Sequence, residues 1–374
     1  MGTHKRVVHG ALDHAELAAL GLLPEALLDF SSNINPFGPP PGVRVALAEL
    51  DPAPYPDRSC LALRTILAAR HGCPPQLILA GNGANELIHV LARALLHSGD
   101  PTLVIGPTYG EYAHASRLAG AQVVEMQTHY ATGFRPDSDA LTALIARLRP
   151  RLTWLCSPNN PTGVAVGPED VLALADRCAA HGSYLVVDQS YRDLQRSPAA
   201  PSQGEPAPNL IRLHSLTKSY ALAGLRLGYL LASADIVARI GIYQPAWSVS
   251  SAAQAAGLAA LADEEFLKST LPQLWAASDT LVGRLREQGR DVWRTTLPFL
   301  LVRSGNGAAT RAALLRRGCV VRDCASFGLP AWVRVAPRPR PGAVPEALWR
   351  GRPDHAAFRQ HPRRRDGGLG GGGG

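Results

Sequence analysis

The 374-residue sequence predicts an α/β protein: a large domain built on a mostly parallel seven-stranded sheet, joined to a smaller C-terminal α/β domain. Three observations carry that expectation. Short apolar runs alternate with helical patterns through the middle of the chain, and polar motifs stand just after those runs. From about Ser248 the pattern changes to a long Ala/Leu-rich helical stretch followed by further short strands. The chain also exceeds the usual extent of one compact core, so a division into two units is expected.

The elements follow in order. Residues 1–41 are rich in turn formers and are expected to pack near the smaller domain. Residues 42–247 make the large domain, with candidate strands at 77–80, 102–105, 122–126, 152–156, 184–187, 210–213 and 228–231. Residues 248–336 make the small domain, with strands at 299–302 and 320–322. Residues 337–374 turn to Pro, Arg and Gly, too little apolar surface to offset ordering entropy, and this tail is expected to be disordered.

Composition excludes several classes. Net charge is +8, but residues 337–374 carry eight Arg against Glu346, Asp354 and Asp366. The remainder is too weakly basic for a nucleic-acid footprint, so no nucleic-acid partner is expected. Six cysteines stand scattered without a CxxC pair, which argues against a structural metal site and against a disulfide framework. No apolar run is long enough to span a membrane and the first residues lack a secretion signal, so the expected location is the cytoplasm.

The chemistry gathers at strand ends, where open α/β sheets place their ligands. Lys218, in LHSLTKSYALAGLRLGY, follows an apolar strand beside the hydroxyls of Ser215 and Thr217, with Arg226 eight residues on. A lysine with cationic neighbours and partial burial has a lowered pKa, as an amine that attacks an aldehyde requires. In LILAGNGANELIH a strand breaks at Gly81-Asn82-Gly83 into a helix, whose first amides, from Ala84 and Asn85, face an anion. Asp188 ends the run LVVD, where a carboxylate needs a positive partner such as a protonated pyridine nitrogen, although capping of a helix is the ordinary alternative. Asn160, in SPNNPTG, offers an amide donor, Tyr191 a hydroxyl, and Tyr109, in GPTYGEY, a ring to stack on or to bury in the core. Arg322 and Arg334, placed at ends of small-domain strands, suit a carboxylate or phosphate clamp, with surface salt bridges as the ordinary alternative.

The combination of SPNNPTG, a strand-terminal Asp and SLTKSYALAGLRLGY resembles fold-type I pyridoxal-phosphate enzymes of the class I/II aminotransferase superfamily. That resemblance implies pyridoxal 5′-phosphate as cofactor, with Lys218 forming an imine to it and shuttling protons. Asp188 would keep the pyridine nitrogen protonated, and Asn160 and Tyr191 would hold the ring oxygen O3′. Gly83, Ala84, Asn85, Ser215, Thr217 and Arg226 would form the phosphate cup, and Tyr109 would stack on the ring face. Tyr55, in PYPDRS, resembles the tyrosine that reaches the phosphate from a neighbouring subunit, which implies a homodimer with shared active sites.

Within the superfamily, VVHGALD, LLDFSSNINPFGPP, QPAWSVSSAAQ, VRDCASFG and WVRVAPR resemble the threonine-phosphate decarboxylases of cobalamin synthesis, with histidinol-phosphate aminotransferases as close relatives. The expectation drawn from it is decarboxylation of a phosphorylated amino acid, with His9, Gly10, Asn33, Asn160, Arg322 and Arg334 on the substrate. Transamination of histidinol phosphate is the alternative. A cofactor-binding regulator and a cofactor-free binding protein are the non-enzymatic alternatives. The first has no helix-turn-helix extension to support it, and the second leaves the Lys218 cluster unexplained.

Overall fold

The computed structural model describes Gly10, residues 12–198 and residues 204–338. Thirteen strands run through these residues: β1 Leu28–Asp29, β2 Ile78–Asn82, β3 Pro101–Gly106, β4 Gln122–Gln127, β5 Leu152–Cys156, β6 Tyr184–Asp188, β7 Leu210–Ser215, β8 Leu227–Leu231, β9 Val292–Trp293, β10 Leu300–Arg303, β11 Cys319–Val320, β12 Arg322–Asp323 and β13 Trp332–Val335. The large sheet has the order β2-β8-β7-β6-β5-β3-β4. Only β8 opposes its neighbours there; the other pairings are parallel. Every residue of β5, β7 and β8 is buried, as expected for strands covered by helices on both faces. One face packs Trp154, Val186 and Ile211 against Leu87 and Leu91 of the helix Gly83–Leu95. The other packs Leu155, Leu185 and Val187 against Ile145 and Leu174.

The seven expected strands all form, and several reach further toward their carboxyl ends than their apolar runs. Asp188 still pairs in register with Cys156 and Leu213, and Ser215 with Gly228. Polar residues hold the last rungs because ladder bonds belong to the backbone and are indifferent to side-chain polarity. Asp188 and Ser215 are therefore held by the sheet itself, and the other chemistry-bearing residues follow directly from its strand ends.

A four-stranded antiparallel sheet, β12-β13-β10-β9, and the parallel pair β1–β11 make up the rest. The helical stretch after Ser248 is two helices, Ser251–Ala262 and Glu264–Glu287, separated at Asp263, whose carboxylate caps the second by accepting from the Phe266 amide at 2.9 Å. Near the N-terminus, Phe30 packs with Val302 and Val333, and Leu17 with Leu315 and Val320. The same segment reaches the large sheet. The Asn35 backbone amide donates to the Lys218 carbonyl at 2.8 Å, and its side chain donates to the Ser219 carbonyl at 3.0 Å.

Of the expected tail, Pro337 and Arg338 are among the described residues. Arg338 donates to the Asp29 carbonyl and pairs with the Asp29 carboxylate at 3.6 Å, because β1 offers it an anionic partner. The rest of that expectation, from residue 339, lies outside the described residues. Among the described residues no helix is long and apolar enough to cross a membrane.

Candidate active site

A cavity of about 420 Å³ opens at the carboxyl ends of β5, β6 and β7, closed on its far side by residues 31–34 and by β12 and β13. Lys218 stands at its floor, in the single turn Leu216–Ser219 that follows β7. Burial, reinforced by the charges of Arg334 and Arg226 and opposed by Asp188, pulls its amine down to about 8.

The anion end of the cavity is built by close backbone approach. Gly83 opens the helix Gly83–Leu95 with φ +77, and a Cβ there would lie 2.7 Å from the Arg226 guanidinium. Gly228 on β8 lets the sheet touch the helix start, since a Cβ there would sit 2.5 Å from the Ala84 nitrogen. No side chain caps this helix, so its first amides and its positive dipole end remain directed at the cavity. Ser215 and Thr217 hydroxyls lie 2.7 Å apart beside it, and Arg226 sits exposed at the rim.

Opposite this cup, Asp188 is buried. It accepts from the Tyr112 hydroxyl at 2.7 Å and from the Ser190 amide at 2.8 Å. Burial pushes its carboxyl above the usual range, while those two bonds and the charge of Lys218 pull the other way. Tyr109 donates to Asn85 at 3.2 Å and meets Tyr112 edge to face at 5.7 Å. Asn160 accepts from the Arg334 guanidinium through Oδ1, which leaves its Nδ2 as a donor. Tyr191 is buried, with the Asn33 amide 3.5 Å from its hydroxyl.

Arg322 and Arg334 face each other across the β12–β13 ladder, both buried. Arg334 also donates to the Ser31 carbonyl at 2.8 Å and lies 5.4 Å over the Phe299 ring. Arg322 donates to Ser326 at 2.7 Å and lies 5.3 Å over Phe327. Arg334 stands inside its strand rather than at its end, and the antiparallel register brings it beside Arg322. Gly10 comes to the same place: a Cβ there would lie 3.3 Å from Arg334.

One expected residue is not brought to this cavity: Tyr55 stands 80% exposed, stacked on Trp247 at 4.8 Å. His9 lies outside the described residues. Gly83 shapes the cup from behind Ala84. Sequence reasoning missed Tyr112, Ser326 and Phe327, all of which line the cavity. Only Tyr112 had a signal, its place three residues after Tyr109 in GPTYGEY, and nothing in that spacing says which ring faces Asp188.

A formyl-pyridine phosphate needs an amine for its aldehyde, an acid for its ring nitrogen, donors for its ring oxygen and a cup for its phosphate. Lys218, Asp188, Asn160 with Tyr191, and the uncapped helix supply these in one cavity, so the residues present fit pyridoxal phosphate.

The chain matches the family "Aminotransferase class I and II" over residues 25–348. It is 33% identical over 329 residues to histidinol-phosphate aminotransferase 2 of Ralstonia nicotianae, covering 84% of this chain and 86% of that one. The histidinol-phosphate aminotransferase of Haloferax volcanii is 32% identical over 341 residues, 90% of this chain and 92% of the other. Among solved structures, histidinol-phosphate aminotransferase from Sinorhizobium meliloti in complex with pyridoxal-5′-phosphate superposes with a TM-score of 0.79 at 24% identity, over 91% of this chain and 95% of that one.

These relatives overturn the expected decarboxylase and with it the place in cobalamin synthesis. An L-threonine-O-3-phosphate decarboxylase from Porphyromonas gingivalis does superpose, with a TM-score of 0.73 over 84% of this chain and 95% of that one, but at 24% identity the likeness shows the fold alone. The decarboxylase expectation rested on short segments such as VVHGALD, whereas the aminotransferase relatives match across most of the chain. Family match, relatives and cavity agree that the chain belongs to the class I and II aminotransferases, with pyridoxal 5′-phosphate as its cofactor.

Proposed function

We propose that the protein is a histidinol-phosphate aminotransferase. The observation that carries this reading is the buried guanidinium of Arg334. Its two side-chain bonds go to neutral oxygens of Asn160 and Ser31, and its Nε has no hydrogen-bond partner among the described residues. It stands in register with Arg322 and lines the cavity together with Lys218, and a buried guanidinium whose side-chain bonds go to neutral oxygens costs free energy unless an anion binds it. A phosphorylated amino compound supplies that anion, and the names of the relatives point to histidinol phosphate.

The other residues divide the work. Bound pyridoxal phosphate supplies an aldehyde for amino groups and a protonated ring that accepts electron density from the substrate carbon. Lys218 would be its attachment point, and the Nζ of the same residue would move the proton at the substrate Cα. Asp188 keeps the ring nitrogen protonated. Asn160 Nδ2 and the Tyr191 hydroxyl donate to the ring oxygen, and Tyr109 covers the ring face. Ala84 and Asn85 amides, Ser215, Thr217 and Arg226 hold the cofactor phosphate. Gly10 and Asn33, which line the cavity, border the substrate anion. Tyr55, exposed and outside the lining of its own cavity, suits a homodimer in which it completes the phosphate cup of the partner.

Steady-state kinetics test this reading. Each lost charge-assisted bond costs about 1.5 to 3 kcal/mol, so Arg334→Ala and Arg322→Ala should each lower kcat/KM for histidinol phosphate roughly tenfold to a hundredfold. Unphosphorylated histidinol should be a poor substrate for the wild type and lose far less in either variant. Equal losses for both substrates would show that the arginines do not read the phosphate.

A further inference from the structure

The geometry points to Tyr112 as a positioning residue that acts through Asp188, setting how firmly the cofactor ring nitrogen holds its proton; this rests on the reading of Asp188 above. Tyr112 is 1% exposed and its hydroxyl donates to Asp188 Oδ2 at 2.7 Å. Its ring is clamped from two sides, stacked on Trp154 at 5.2 Å and edge-on to Tyr109 at 5.7 Å. Trp154 is in turn held by donation to Ser116 at 3.1 Å, and the Ser116 hydroxyl donates back to the Tyr112 carbonyl at 2.8 Å. The hydroxyl is thus held on one carboxylate oxygen, while the Ser190 amide occupies the other.

A hydrogen bond to the ionised carboxylate favours that form. Without it Asp188 is a stronger base, the proton it shares with the ring nitrogen moves toward the carboxylate, and the ring withdraws electrons less. The nitrogen of Lys218 that joins the cofactor then keeps its own proton to higher pH. The titratable groups facing Asp188 are Lys218 after β7, Cys156 on β5, Tyr191 after β6, and Tyr109 and Tyr112 at the helix Glu111–Leu118. Burial raises the three phenols and pushes the Cys156 thiol up to about 12, so none of these four titrates near neutral pH.

The test is a pH titration of the visible absorbance of the holoenzyme, wild type against Tyr112→Phe, which removes the hydroxyl and keeps the stacked ring. The midpoint should rise by about half a unit or more, with kcat down about tenfold and KM within about twofold. Site-specific 3-fluorotyrosine at position 112 keeps the shape and makes a stronger donor, so it should lower the midpoint; this arm stands if Tyr112→Phe does not fold. A folded Tyr112→Phe holoenzyme with an unchanged midpoint, or both substitutions moving it the same way, overturns the positioning role while leaving the site reading intact. A wild-type protein that shows no visible cofactor band overturns the site reading and this proposal together.

Discussion

Burial and two guanidinium charges give Lys218 the reactivity that its sequence neighbours only suggest. Its amine titrates near 8 instead of 10.5, so the neutral, nucleophilic form appears as pH rises through about 8. Loading of cofactor onto the apoprotein should therefore accelerate with a midpoint near that pH, followed by stopped-flow absorbance; a midpoint near 10 would contradict the burial argument. Lys218→Ala should abolish the borohydride-reducible label and leave the circular dichroism spectrum unchanged, because the strands around it pair through backbone bonds that the substitution leaves intact. At this scale the sequence was legible where a residue type has one good use: a lysine among hydroxyls, a carboxylate ending an apolar strand, an asparagine before Pro161. Tyr112 was not legible, since a tyrosine buried for packing and one aimed at a carboxylate look alike until the fold orients them.

Elements were legible in proportion to their length. The seven strands of the large sheet stand out as apolar runs, whereas two-residue strands such as β1 and β9 carry no periodic signal at all. The break at Asp263 was missed because the alanine-rich composition on one side and the amphipathic pattern on the other both read as helix. Two glycines join element geometry to function. Gly83→Ala must place Cβ at positive φ and 2.7 Å from Arg226, and Gly228→Ala must push β8 off the Ala84 nitrogen. Each should destabilise by about 1–3 kcal/mol, and Gly83→Ala should also weaken cofactor binding. Urea denaturation and fluorescence titration with pyridoxal phosphate measure both effects. Unchanged cofactor affinity in Gly83→Ala would mean that the helix start does not form the cup.

For the whole molecule, fold and cofactor followed from the sequence but the reaction did not. Motifs that hold the cofactor recur across the family, whereas the choice between breaking one substrate bond or another depends on how few side chains orient the substrate over the ring. A second whole-molecule property was equally hidden. His71 and His214 are buried around Tyr229, and burial, aided by neighbouring arginines, lowers His71 from 6.5 to about 4 and His214 well below 6.5. Both are neutral when folded, so their contribution to stability is complete above pH 6.5 and is lost as pH falls toward 4. The urea midpoint should drop over that window, and more gently in His71→Gln; an identical slope in that variant would contradict the assignment.

The central claim is amino transfer from histidinol phosphate at Lys218, and nitrogen tracing tests it most directly. Histidinol phosphate carrying ¹⁵N in its amino group is incubated with the holoenzyme and 2-oxoglutarate, and the products are followed by mass spectrometry. ¹⁵N-glutamate should form mole for mole with loss of the labelled substrate, and Lys218→Ala should show no turnover. Histidinol phosphate left unconsumed by an enzyme that holds its cofactor, or consumed without label entering glutamate, would contradict it.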